Sequence, residues 1–210
     1  MKVNRQIDSG WVGEDGTTYE YIVTIGISTG GPKLLNQLVT LIDEKLPATY
    51  VIAQHMPDGF TKPLAERLNA MSELVVKEAE EGDKLKRGVI YIAPGGKQLR
   101  IVNNINPQIA IMEDALFKGA KPSVNIMMES LASLKLNNKK IIAIIMTGMG
   151  NDGLEGVKSL KLKQDCKVIA QDQATSTVYG MPKAIINAEL ADYIVPADKI
   201  AQTIKKIVGD

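Results

Sequence analysis

The sequence predicts a doubly wound α/β domain: a mainly parallel sheet with helices on both faces, three layers in all, and a small antiparallel hairpin insertion. Three observations lead there. Short β-branched runs recur at residues 21–27, 49–54, 89–93, 141–146 and 167–171, nearly continuous in apolar residues, as strands covered on both faces must be. Helical patterns lie between several of them, the alternation that builds parallel sheets. Glycine-rich turns follow the strand runs, at the end of the sheet where open α/β folds bind ligands.

Each element has a local reason. Residues 1–19 are polar and Gly-rich without apolar periodicity, and read as a tail or linker; a hairpin around Glu14-Asp15-Gly16 and a docked Trp11 are its candidate features. The body is expected from residue 20 to residue 210. Residues 33–45 place Leu34, Leu35, Leu38, Leu41 and Ile42 on one helical face. Pro32 precedes them where a missing N–H costs nothing. Further helices are expected over residues 60–71, 123–136, 153–162, 181–188 and 197–207. Residues 90–92, 98–102 and 108–112 depart from the alternation. Turns at Pro94-Gly95-Gly96 and at residues 103–107 separate them, which predicts a hairpin or meander at a sheet edge.

Composition narrows the function. The chain has 210 residues, 45% hydrophobic and 23% charged, an ordinary globular balance. Lys+Arg 25 against Asp+Glu 24 leaves a formal charge of +1, so no net basic field recommends nucleic acid. A single cysteine and a single histidine exclude an intrachain disulfide and multi-Cys or multi-His metal sites. No apolar run is long enough to span a bilayer, and the polar start lacks a secretory signal. A cytoplasmic setting without membrane insertion is the expectation, with no metal and no organic cofactor.

Three motifs fall at strand ends. Gly26-Ile27-Ser28-Thr29-Gly30 fits G-x-S-x-G, a serine on a strand-to-helix turn beside free helix N–H groups suited to an oxyanion. The same turn could instead cradle a phosphate. Gln54-His55-Met56-Pro57 carries the sole histidine onto the same rim. The third motif, residues 147–153 (TGMGNDG), brings Asp152, which reads either as a helix N-cap or as a carboxylate accepting from the second ring nitrogen of His55. Nucleophile, base and orienting acid would then sit on three strand ends, in the chain order Ser, His, Asp. Elsewhere, Cys166 and Met127-Met128 read as core. Glu78, Glu80, Glu81 and Asp83 read as a solvated loop face rather than a metal cluster, and Tyr179-Gly180-Met181-Pro182 as a turn near the rim.

The segments IGISTGG, QHMPDGFTKPLAERLN, VKEAEEGDKLKRGVIYIAPGGKQL, KPSVN, MTGMGNDGLEG and AQDQATSTVYGMPKAI occur in that order. Together they resemble the catalytic domain of the bacterial chemotaxis receptor methylesterases, the CheB family of protein-glutamate methylesterases, over residues 21–196. The resemblance implies an open α/β sheet and a serine hydrolase of glutamate γ-methyl esters on the cytoplasmic helices of methyl-accepting chemotaxis receptors, with receptor glutamine deamidation as a second activity. It places the catalytic triad on Ser28, His55 and Asp152, and oxyanion support at Thr29 and the backbone N–H of Met149. Two departures stand out. Family members begin with a receiver domain; none is expected here, so the chain reads either as a free-standing effector domain, with a separate regulatory protein as partner in place of the receiver, or as a catalytic domain without its receiver. An HRPSVD-like family segment reads Gly119-Ala120-Lys121-Pro122-Ser123-Val124-Asn125, its basic residue and acid altered, which points to altered substrate handling with the triad intact. Two rival functions remain at this level: a phosphate- or nucleotide-binding domain, and a non-catalytic receptor-binding module.

Overall fold

The computed structural model describes residues 19–113, 119–136 and 138–209. Trp11 and the Glu14-Asp15-Gly16 hairpin lie outside them. In chain order the elements are β1 (Tyr21–Ile27), α1 (Gly31–Leu41), β2 (Ala48–Gln54), α2 (Thr61–Met71), β3 (Val75–Glu78), β4 (Val89–Ile92), β5 (Gln98–Val102) and β6 (Gln108–Met112). There follow α3 (Val124–Ala132), β7 (Lys140–Ile145), α4 (Leu154–Lys163), β8 (Cys166–Gln171), α5 (Gly180–Asn187), β9 (Tyr193–Val195) and α6 (Ile200–Gly209).

Seven strands form one sheet in the order β3-β4-β2-β1-β7-β8-β9, and every pairing in it is parallel. The expected α/β architecture is therefore observed. Strand alternation splits the core in two. On β7, Ile141, Ala143 and Ile145 join α3, α4 and α5 on one face, whereas Ile142 and Ile144 join α1, α2 and α6 on the other. Both clusters are fully covered, which is why the central runs carry almost no polar residues. Tyr19, assigned from sequence to the leading segment, is already part of the core at 4% exposure, with the Lys139 ammonium 4.3 Å from its ring centroid.

The meander is drawn differently from the sequence expectation. Of the three runs, β5 and β6 form an antiparallel pair, in a separate two-stranded sheet. The run that precedes them is β4, a parallel strand between β2 and β3. Two strands were not anticipated, β3 and β9, and both are sheet edges. Edge strands this short, with half-exposed residues, carry no continuous apolar run to announce them. The first helix also stops at Leu41, because Asp43 Oδ1 accepts from the Lys45 N–H at 3.0 Å and turns the chain.

Chain order makes β1 the switch point. From β1 the chain first builds outward through β2, then returns to β1's other side with β7. The carboxyl ends of β2, β1 and β7 thus form adjacent positions on one rim. Gly26 makes the approach of α3 to this rim possible. A Cβ there would lie 2.4 Å from Val124 Cγ1, on a β-branched side chain with little rotamer freedom. Gly26→Ala is expected to lower stability by about 1–3 kcal/mol through this overpacking, as measured by urea unfolding.

Candidate active site

The β1–β2 register pairs Ile27 with Gln54, so Ser28 and His55 are the first residues beyond the paired ends of neighbouring strands. The ladder extends one bond further, His55 N–H to Ile27 O at 3.0 Å. On the other side, the Ser28 N–H donates to Thr147 O at 2.8 Å, which ties the serine to the turn after β7. The side chains complete a series. Ser28 Oγ lies 3.1 Å from His55 Nδ1, and His55 Nε2 lies 2.8 Å from Asp152 Oδ2. His55 and Asp152 are less than a fifth exposed. All three residues singled out by the sequence are brought together.

Asp152 is not the cap of its own helix. Gly153 occupies that position on α4, at φ 104°, and the Asp152 carboxylate turns instead to the start of α3. Its Oδ1 accepts from the Asn125 N–H at 2.9 Å and the Ser123 hydroxyl at 3.1 Å. Its Oδ2 accepts from the Val124 N–H at 2.8 Å besides His55. Helix N-termini leave such N–H groups unpaired and favour a negative charge. Burial pushes the Asp152 carboxyl up, but hydrogen bonds from His55, Asn125 and Val124 outweigh it and hold the group below the ordinary carboxylate range. Asp152 is therefore ionised at neutral pH.

An ionised Asp152 fixes the imidazole. It accepts only, so Nε2 carries the proton and donates to it. The lone pair on Nδ1 then faces Ser28 Oγ, and the serine hydroxyl donates. The nitrogen nearer the backbone is thus the one aimed at the nucleophile.

Three residues of the HRPSVD-like segment, Ser123, Val124 and Asn125, cradle the Asp152 carboxylate. Gln98 Oε1 accepts from the Ser123 N–H at 2.8 Å, and Gln98 Nε2 donates to Ala120 O at 2.9 Å. Asn125 Oδ1 accepts from the N–H groups of Gly153 and Gly156, both at 2.9 Å, joining the starts of α3 and α4 around the carboxylate. The YGMP turn also gains a role. A Cβ on Gly180 would meet Gly150 N at 2.8 Å and Gly148 O at 2.9 Å, so this glycine lets α5 pack directly beneath the turn that carries Met149.

Thr29 and Met149 flank Ser28. The Thr29 carbonyl accepts from Thr147 Oγ1 at 2.9 Å. Among the described residues, neither the Thr29 nor the Met149 N–H donates an intramolecular hydrogen bond, so both are available to a ligand. The Met149 side chain is 77% exposed. Gly148 permits this closeness, because a Cβ there would lie 2.8 Å from Ser28 Cβ.

The remaining candidates are structural. Lys77 Nζ binds Glu80 and Asp83, each at 2.9 Å, Glu78 accepts from Thr61 Oγ1, and Glu81 accepts from the Ile111 N–H. Among the described residues no group of three or more His, Cys, Asp or Glu could hold a metal ion. Burial pushes the Cys166 thiol up to about 12, so it is not a nucleophile at neutral pH. Met127 and Met128 are wholly buried core. No described helix is long and apolar enough to cross a membrane.

A parallel α/β sheet whose rim carries a hydroxyl, an imidazole and a carboxylate bonded in series has the construction of a serine hydrolase site. Comparison with known proteins narrows the class. The CheB methylesterase pattern matches residues 23–204, and the chain belongs to the CheB methylesterase family. It is 46% identical over 184 residues to a protein-glutamate methylesterase/protein-glutamine glutaminase of Lawsonia intracellularis, covering 87% of this chain and 51% of that one. To the Geobacillus kaustophilus protein of the same name it is 45% identical over 190 residues, covering 90% and 54%. The chain spans about half the length of these curated relatives. The crystal structure of the Thermotoga maritima CheB methylesterase catalytic domain superposes with a TM-score of 0.82 at 40% identity, covering 89% of this chain and 97% of that one.

Proposed function

We propose that this chain is a serine esterase that removes methyl groups from glutamate γ-methyl esters on the cytoplasmic helices of methyl-accepting chemotaxis receptors. The observation that carries the reading is the unbroken series Ser28 Oγ–His55 Nδ1–Asp152. Family membership supplies the substrate class.

In the first step Ser28 Oγ attacks the ester carbonyl while His55 Nδ1 takes the hydroxyl proton. Such base catalysis contributes about 10²–10⁴-fold. Asp152 stabilises the imidazolium that forms. The oxyanion is received by the N–H groups of Thr29 and Met149. One donor of this kind is worth roughly 3 kcal/mol in other hydrolases. The intermediate collapses, the C–O bond to the methoxy group breaks, and the Nδ1 proton leaves with it as methanol. Water, deprotonated by Nδ1, then attacks the glutamyl ester on Ser28. Its collapse releases the glutamate carboxylate and restores the serine. A glutamine substrate follows the same course with ammonia as the leaving group. No step needs a metal or an organic cofactor.

The setting of such a substrate is the cytoplasm. The test is methanol release, with ammonia release in parallel, from methylated receptor cytoplasmic fragments. Sustained turnover supports the esterase. Stabilisation by a nucleotide without turnover would favour a phosphate cradle at the same glycines, and receptor binding without turnover a non-catalytic module.

A further inference from the structure

Gln54 is a side chain at the rim that the reaction above does not use. Gln54, the last residue of β2, is 1% exposed and lies between the nucleophile and the base. Its Nε2 donates to Ser28 O at 3.1 Å and to His55 O at 3.0 Å. Both partners are carbonyls, so only the NH₂ end of the amide can face them. The amide therefore spans the main chains of Ser28 and His55 with one N–H for each.

The bond to Ser28 O has a second consequence. C=O and N–H of a trans peptide point in opposite directions across a rigid plane. Ser28 O also accepts from the Gly31 N–H at 2.8 Å. With that oxygen held from two sides, the Thr29 N–H of the same peptide is directed away from Gln54 and left unpaired. Gly31 fits this arrangement independently. A Cβ on Gly31 would lie 2.0 Å from Gln54 Oε1, so the second glycine of the STGG turn is the space the amide occupies.

We infer that Gln54 is a positioning residue that sets both the Ser28–His55 spacing and the direction of the Thr29 N–H. It touches no substrate atom. It acts through the two backbones it joins. The inference rests on the esterase reading for its kinetic arm. A misplacement of reacting groups by about 1 Å can cost on the order of 100-fold in rate.

The experiment compares wild type with Gln54→Met, which has nearly the same volume and no donor. Two readouts are taken: kcat and KM for a methylated receptor fragment, and the rate at which a fluorophosphonate labels Ser28, followed by intact mass. In the labelling step the Ser28 Oγ–P bond forms, fluoride leaves and His55 takes the proton, so no natural substrate is required. The expected result is a fall of about 10- to 100-fold in kcat and in the labelling rate, with KM within about twofold. A merely structural role would lower the melting temperature and leave both rates of the folded protein unchanged. If Gln54→Met does not fold, Gly31→Ala replaces it, because the added Cβ displaces the amide while the glutamine remains. Labelling and kcat within about twofold of wild type in a folded variant overturn the inference. If wild type itself releases no methanol, the esterase reading fails, and the labelling rates alone decide the role of Gln54.

Discussion

Ser28→Ala is expected to abolish methanol release, by roughly 10⁴–10⁶-fold on the scale of serine hydrolases that lose their nucleophile, while the melting temperature stays within about 2 °C of wild type. The two halves have separate causes. The hydroxyl supplies the only atom that can form the acyl intermediate, so its loss is not graded. Its removal costs the fold little, because among the described residues the single side-chain partner of Oγ is His55 Nδ1 at 3.1 Å, on a ring that water reaches. The backbone bonds that position residue 28, to Thr147 O, from Gly31 N–H and from Gln54, do not involve Oγ. Thermal denaturation and a methanol assay on the same preparation check both halves. Turnover near the wild-type rate would remove Ser28 from the mechanism.

The parts of the site legible in the sequence were those fixed by main-chain periodicity. Ser28, His55 and Asp152 each follow an apolar run closely, and strand ends in a parallel sheet converge on one rim whatever the side chains do. What could not be read depends on contacts distant along the chain. The Asp152 carboxylate could equally have capped its own helix. That it turns to the start of α3 follows from Gly153 taking the cap position with positive φ and from Gly26 and Gly156 letting α3 approach. A Cβ on Gly156 would lie 2.7 Å from Met128 Cβ. Which imidazole nitrogen faces the serine is set by ring placement, to which sequence gives no clue. Gln54 passes as the last residue of a strand, because a polar residue ending an apolar run is unremarkable until its partners are seen. Gln171 repeats the case on β8, its Oε1 accepting from the Thr147 N–H at 2.8 Å, and Thr147 in turn carries the Ser28 and Thr29 backbones.

Asp152→Asn is the second variant with a large expected effect, and it should act on chemistry and stability together. The carboxylate accepts four hydrogen bonds: from the His55 ring, the Ser123 hydroxyl, and the Val124 and Asn125 N–H groups. An asparagine offers one acceptor oxygen, and its NH₂ must face groups that are themselves donors. If the oxygen takes the Oδ1 place it keeps the Asn125 N–H and the Ser123 hydroxyl, the amide donates to His55 Nε2, and the Val124 N–H loses its acceptor. The ring then carries its proton on Nδ1, which cannot accept from Ser28. An Asp-to-Asn change in another serine hydrolase costs about 10⁴-fold through this tautomer error, and a loss of that order in kcat is expected here. If the amide instead faces α3, unpaired N–H groups there cost roughly 1–3 kcal/mol. The pH dependence separates the two effects. The folded Asp152 carboxyl lies below its ordinary range, so its contribution to stability is present above about pH 4, the usual unfolded value, and is lost as pH falls through the folded value. Urea unfolding of wild type and Asp152→Asn should therefore differ most at neutral pH and converge below about pH 4, while the activity difference persists at every pH where wild type turns over. A stability gap independent of pH would show that the ionised carboxylate does not hold the start of α3.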